Sequence, residues 1–391
     1  MEAVMSGQEI TRRHFASALG ATLGASLVAP DLARSAPAPA TLPATRPHSG
    51  LPPGTIRIDS NENPYGPSPG ALEAMGRSQS VAARYPDALE DRVTGALAKL
   101  HGVTPDNVIL GCGSGEILRM ADMAFLGPGK NVVAAEPTFE AVLGYAGVTR
   151  AEPVKVPLTA DHRHDLPRMA AACGERTGLV YVCNPNNPTG TIVARDELGP
   201  FLGRVPKTAL VLVDEAYHHF VEDARYASAF EWVGKIPNLL VVRTFSKIYG
   251  LAGMRLGYGV GTLETIEAMR RHRIWSNTNA SVLEAALASL DDARHVPRSR
   301  RAINETKRWL CAELDKDGRA HIPSEANFVM IDVGSDVEPV IGALRERHLL
   351  VGRKFPSLPT WLRVSIGTPE EMKTFLTGLR AVLPRVEIRA A

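Results

Sequence analysis

The chain has 391 residues, 45% of them apolar and 22% charged, with a formal charge of +2. That length can bury a large core and suits two domains, and the composition is that of an ordinary soluble globular protein. A charge so close to zero argues against a polyanionic partner, so no nucleic acid is expected. The cysteines Cys112, Cys173, Cys183 and Cys311 lack CxxC spacing, so no metal site is expected either. Cys112 and Cys183 fall at the ends of apolar strands and read as buried free thiols.

At the start, Thr11-Arg12-Arg13-His14-Phe15 precedes a weakly apolar run from Ala18 to Ala29, then small residues from Ala33 to Ala38 suited to cleavage. Paired arginines, a short apolar stretch and a small-residue exit resemble a bacterial twin-arginine export signal, placed at residues 1–36. A Pro-, Ala- and Thr-rich linker at 37–53 follows. The signal implies a periplasmic or secreted protein that meets a membrane only during export, or a cytoplasmic one if the signal is not used. Beyond it no continuous apolar run is long enough to cross a bilayer.

The folded part begins at Ile56-Arg57-Ile58-Asp59-Ser60-Asn61-Glu62-Asn63-Pro64-Tyr65-Gly66-Pro67, which reads as a loop from its Asn and Pro-Gly clusters. Val108 to Leu118 reads as strand, Gly-rich turn and helix. Free amides at that helix start, with the dipole behind them, form an anion site in which Ser114 and Gly115 could grip a phosphate. It is not a dinucleotide fingerprint, because the third glycine is missing. A buried strand at Asn131–Ala135 leads to Glu136-Pro137-Thr138-Phe139. Another, Leu179–Cys183, ends in Asn184-Pro185-Asn186-Asn187-Pro188-Thr189-Gly190. These Asn-Pro units make a rigid loop at a strand's carboxyl end, where open α/β sheets place their ligands.

Ala209 to Val213 is an apolar strand closed by Asp214 and Glu215, a pair that alone reads as solvated. His218 and His219 lack a third ligand at suitable spacing and read as structural. Leu239–Arg243 delivers Thr244-Phe245-Ser246-Lys247, and Arg255, eight residues after the lysine, offers a planar fork suited to phosphate. Amphipathic helices are predicted at Leu263–Arg273, Ser281–Leu290 and Val296–Asp317. Strands at Phe328–Asp332 and Trp361–Gly367 then alternate with helices near 337–348 and from Pro369.

Taken together, Ser246-Lys247 with Arg255, Asn-Pro-Asn-Asn-Pro-Thr-Gly and the Gly-rich turn resemble class I/II (fold type I) pyridoxal-phosphate aminotransferases. Asn-Glu-Asn-Pro-Tyr-Gly and Arg84-Tyr85-Pro86 are similar to the histidinol-phosphate branch. The resemblance implies an α/β fold: a large domain at 81–280 with a mostly parallel central sheet flanked by helices, and a smaller α/β domain at 281–391 joined by residues 54–80. It implies pyridoxal 5'-phosphate as cofactor, its aldehyde bound covalently by Lys247 and its phosphate by Ser114, Gly115, Ser246 and Arg255. Asn187 and Tyr217 would contact the phenolic oxygen, Asp214 the ring nitrogen and Phe139 the ring face, where many relatives have Tyr. Tyr85 would reach the partner's phosphate in a homodimer. Tyr65 would line the substrate pocket, Arg363 would clamp the substrate carboxylate, and Arg353 would lie near its distal end. Gly352 and Lys354-Phe355-Pro356 beside Arg353 depart from the family pattern.

The implied activity moves an amino group from an amino acid or amine donor to a 2-oxo acid. The same cofactor residues also serve decarboxylases and amino-acid oxidases of this fold, which differ in the bond broken at Cα. A sensor that only binds the cofactor fits less well, because the transcriptional members of the fold carry a DNA-binding domain where this chain has its export signal.

Overall fold

A computed structural model describes residues 51–383. The predicted export signal and nearly all of the linker lie outside the described residues. The central sheet is built from β2 (Val108–Gly111), β3 (Asn131–Glu136), β4 (Glu152–Pro157), β5 (Thr177–Cys183), β6 (Leu210–Asp214), β7 (Leu239–Thr244) and β8 (Gly257–Gly261), following β1 (Ile56–Ile58). Their order is β2-β8-β7-β6-β5-β3-β4, and β8 alone runs against its neighbours. The mostly parallel α/β sheet expected from the sequence is therefore present.

Parallel strands covered on both faces read as continuous apolar runs. β5, β6 and β7 are buried along their whole length. Alternation sorts their side chains between two layers. Leu179, Tyr181, Leu210, Leu212, Leu240 and Val242 pack with residues of the helices Ser114–Phe125 and Ala141–Thr149. Val180, Val182, Val211, Val213, Leu239 and Val241 pack on the opposite face with residues of Leu166–Ala171 and Arg195–Arg204. This parity decides which residues at the strand tips face the site.

The carboxyl-terminal part holds β9 (His321–Ile322), β10 (Phe328–Asp332), β11 (Leu349–Val351) and β12 (Trp361–Ser365). β12-β10-β9 form an antiparallel sheet, and β1 pairs in parallel with β11. Ile56–Ile58, read as loop, is thus a short strand. Its partner lies some three hundred positions on, so no local signal announces the pairing. The predicted helix Leu263–Arg273 stops at Arg270, while Ala280–Asp291, His295–Lys316 and Pro369–Val382 fall close to expectation. Two of these starts are set by side-chain caps: Asn279 Oδ1 accepts from the Val282 amide at 2.8 Å, and Thr368 with Glu371 forms a capping box. No described helix is long and apolar enough to cross a membrane.

Candidate active site

At the carboxyl ends of β5, β6 and β7 opens a cleft of about 760 Å³, reached also by the first described segment and by residues of the last strands. It brings together Ser114, Gly115, Phe139, Asn187, Asp214, Tyr217, Ser246, Lys247, Arg255, Arg353 and Arg363. These expected residues come from eight separate stretches of the chain.

One end of the cleft is an anion cradle. Gly113, at φ +80°, caps the helix Ser114–Phe125; its carbonyl accepts from the Glu116 amide at 3.2 Å, and the Ser114 and Gly115 amides ahead of it point out of the helix start. A Cβ on Gly113 would lie 2.1 Å from Arg255 Nη2, and only glycine lets the guanidinium rest against the helix start. Arg255 Nη1 donates to Ser246 Oγ at 3.3 Å and to the Ala252 carbonyl at 2.8 Å. Glu116 does not intrude on the cradle. Its Oε2 accepts from the Cys112 amide at 2.6 Å and from Asn277 Nδ2 at 2.7 Å. Cys112 itself is exposed and not a buried thiol, because β2 ends at Gly111 and Cys112 opens the turn.

In the floor, Lys247 Nζ donates to the Ser60 carbonyl at 3.0 Å and sits 5.7 Å from the centre of the Tyr217 ring. Burial, then the charge of Arg363, lowers its pKa from 10.5 to about 8, so a neutral amine is accessible near neutrality. The Tyr217 oxygen accepts from Asn61 Nδ2 at 3.1 Å and from Asn187 Nδ2 at 3.4 Å, leaving its own proton to donate. Burial pushes that phenol well above its usual range, so it stays protonated. Asp214 is buried at the tip of β6, where burial raises its carboxyl to about 6.

Arg363, on β12, donates through Nη1 to Asn187 Oδ1 and through Nη2 to the Asp59 carbonyl, both at 2.8 Å. Its Nε and Asp59 Oδ1 are buried with no hydrogen-bond partner among the described residues. Gly352 makes room for it: a Cβ there would lie 2.7 Å from the Arg363 carbonyl oxygen. At the outer edge Arg353 pairs with Glu140 at 2.5 Å and lies over Phe355, and Arg345 also lines the cleft.

Two expected residues stand outside. Tyr65 lines a separate hollow with Thr306 and Trp309, because its amide donates to Asn63 Oδ1 in a turn that carries the ring away from the cleft. Tyr85 is 84% exposed. Behind the floor, on the sheet's other face, lies a group the sequence did not disclose. Arg243 Nε and Nη2 both donate to Glu215 Oε2, at 2.9 and 2.7 Å, and Glu215 Oε1 accepts from the Ala229 amide at 2.6 Å. Glu215 is 1% exposed, not solvated. Phe230 lies under the guanidinium and stacks on His101, whose ring burial keeps neutral, with a pKa near 4. His218 and His219 are likewise held neutral by burial, and no metal-binding cluster occurs among the described residues.

A cradle for a dianion, an amine of lowered pKa, paired donors to an oxygen and a buried acid fit pyridoxal 5'-phosphate. The family "Aminotransferase class I and II" matches residues 53–379, and the chain belongs to it. It is a pyridoxal-phosphate-dependent aminotransferase, moving an amino group between an amino donor and a 2-oxo acid, and it is histidinol-phosphate aminotransferase-like. It is 42% identical to the histidinol-phosphate aminotransferase of Moorella thermoacetica, over 84% of this chain and 85% of that one. The enzyme of the same name from Symbiobacterium thermophilum is 41% identical, over 84% and 90%. The solved histidinol-phosphate aminotransferase of Sinorhizobium meliloti, in complex with pyridoxal-5'-phosphate, matches with a TM-score of 0.80 at 28% identity, over 84% of this chain and 90% of that one.

Proposed function

We propose that this aminotransferase takes an anionic donor, with L-histidinol phosphate and glutamate as the first candidates. The observation that carries this reading is Arg363: half-buried between the Phe328 and Phe355 rings, two nitrogens engaged, and Nε without a partner among the described residues, in the same cleft as Lys247. When bound, pyridoxal phosphate supplies an aldehyde that carries the amino group and a ring that accepts electrons released at Cα.

In this reading Ser114, Gly115, Ser246 and Arg255 would hold the phosphate, and Asn187 and Tyr217 would donate to the phenolic oxygen. Phe139 would cover the ring, and Asp214 would serve the ring nitrogen. Lys247 takes the proton from the donor's Cα and returns it elsewhere, a role suited to an amine held near neutrality. Arg363 binds the α-carboxylate or another anionic group beside the reacting carbon, and Arg353 receives a more distant anion after parting from Glu140.

A half-reaction screen tests this. The loaded protein is mixed with glutamate, histidinol phosphate, aromatic or basic amino acids, one at a time. The reading expects the cofactor spectrum to change with an anionic donor and the matching keto product to be recovered. Release of carbon dioxide, or oxygen uptake with no lasting spectral change, would transfer the chain to the decarboxylase or oxidase chemistry of the same fold.

Two further parts belong to the proposal. The protein works as a homodimer, supported by exposed Tyr85, Ile274 and Trp275, which the Ser276–Asp87 hydrogen bond brings to one neighbourhood. Sedimentation should give twice the chain mass; a monomer at micromolar concentration refutes it. Export is through the twin-arginine route, supported by Arg12-Arg13 and the run after it. Replacing both arginines by lysine should retain the protein in the cytoplasm, and unchanged fractionation would remove that reading.

A further inference from the structure

Tyr181 lies at the middle of β5, wholly buried, and reads in the sequence as one more core aromatic. Register places Cys183 opposite Asp214 and Tyr181 opposite Leu212, so Tyr181 stands two residues behind the acid on the neighbouring strand. Both point to the face that carries the cleft. Tyr181 Oη donates to Asp214 Oδ2 at 2.9 Å, and the Ala216 amide donates to Oδ1 at 3.1 Å. Each carboxylate oxygen therefore has one donor supplied from the protein side, which fixes the plane of the group and leaves its outward lone pairs to the cleft.

Packing alone does not ask for the hydroxyl. The ring lies opposite Leu212 in an otherwise apolar cluster, where phenylalanine would fill the same space. A buried phenol needs a partner, and a buried carboxylate is costly without donors. We propose that Tyr181 is a positioning residue for the reaction: its hydroxyl orients Asp214 and keeps the carboxylate a weak enough base that a proton shared with the cofactor's ring nitrogen stays on the nitrogen. The proposal rests on the assignment of Asp214 to that nitrogen.

The groups facing Asp214 act in both directions. Burial is the largest influence and raises its pKa. The Tyr181 hydroxyl and the Ala216 amide lower it, Glu215 next in the chain raises it, and Lys247 across the cleft lowers it. Cys183, beside Asp214 on β5, is a thiol that burial pushes well above its usual range, so it is neutral and adds no charge. Tyr181 is thus the largest of the influences that oppose burial. It is itself held far from ionising, chiefly by burial and then by the Asp214 charge, so it is a donor throughout the working pH range.

The test is a cycle of four proteins: unaltered, Tyr181→Phe, Asp214→Asn, and both together. Pyridoxal phosphate dissociation is measured in each, and the Asp214 carboxyl is titrated by carbon NMR in the cofactor-free forms. A hydrogen bond to a charged group predicts that Tyr181→Phe weakens retention about tenfold when Asp214 is present and by less than about twofold when Asn replaces it. The Asp214 midpoint should rise by about one unit in Tyr181→Phe, because a donor to the charged form has gone. In the loaded enzyme kcat should fall with KM little changed.

An equal loss of retention in both backgrounds, or an unmoved midpoint, overturns the proposal and leaves Tyr181 as core. Loss of retention in Tyr181→Phe with none in Asp214→Asn would instead bring down the assignment of Asp214. Should Tyr181→Phe fail to fold, the unaltered cofactor-free protein decides. A hydrogen–deuterium isotope shift on the Asp214 carboxyl carbon supports the bond, and its absence refutes it.

Discussion

The floor and the rim of the cleft are built on opposite plans. In the floor Asp214, Asn187 and Tyr217 are buried, come from strand tips or the loops directly after them, and have their polar atoms held by other protein groups. At the rim Arg345 and Arg353 are exposed, and the charged partner of Arg353 is the exposed carboxylate of Glu140. The floor can hold charge in place at the moment of reaction without reorganising. The rim trades partners at little cost, since an exposed ion pair contributes only about 0–1 kcal/mol. Chemistry common to many substrates belongs to the first plan, and the choice among substrates to the second.

The contrast can be broken in graded steps. Lys247→Ala removes the one group with no substitute: kcat should fall at least about 10⁴-fold, as when a nucleophile is lost, and the visible band of the lysine-bound cofactor should vanish while circular dichroism stays unchanged. A surviving band would end the assignment. Arg243→Met leaves Glu215 buried and unpaired, which should destabilise the protein by about 3–5 kcal/mol in denaturant melts. A change below about 1 kcal/mol would mean that the Ser228 and Ala229 donors alone suffice to hold Glu215.

Capture of added pyridoxal phosphate by the cofactor-free protein should depend on pH through Lys247. Its pKa is depressed to about 8, and the neutral amine is the reactive form. The capture rate should therefore rise about tenfold per unit up to pH about 8 and level above it. A midpoint near 10 would show the amine to be unperturbed. Arg363→Ala should raise KM for an anionic donor about 10–100-fold, the scale of a lost hydrogen bond to a charge, with kcat less affected. Arg353→Ala, at the rim, should change KM only a few-fold, and only for substrates carrying a second anion. A larger effect than that of Arg363→Ala would reverse the ranking of floor and rim.

Legibility follows the same division in part. The cradle, the Asn-Pro loop and the lysine segment could be read because each packs its chemistry into a few consecutive residues with a fixed backbone requirement, such as the glycine at 113. Glu215 could not. Next to Asp214 it looks like half of a solvated acidic pair, and only strand parity, with Arg243 on the same face of β7, shows it to be locked on the far side of the sheet. Tyr181 was hidden by its apolar neighbours, which make a hydroxyl in a strand look like packing. Asn61, which joins Asn187 in donating to the Tyr217 oxygen, sits 156 residues from that tyrosine, and no local pattern joins them. Tyr65 was placed by the resemblance alone, and within one chain the tight turn at Asn63 directs its ring to a separate hollow.

The Asn61 amide donates to Ser365 Oγ at 2.8 Å, and that hydroxyl donates in turn to Asn61 Oδ1 at 3.0 Å, across 304 residues. The segment that supports Tyr217 is thus fastened by almost the last strand to be made. At a synthesis rate of about 5–20 residues per second the ribosome needs about 15–60 s to deliver the second half of that fastening after the first. During that interval the sheet can assemble, yet the pocket lacks one wall. A nascent chain halted before residue 365 should therefore release the cofactor that the finished chain retains, so that firm capture waits for the strand Trp361–Ser365.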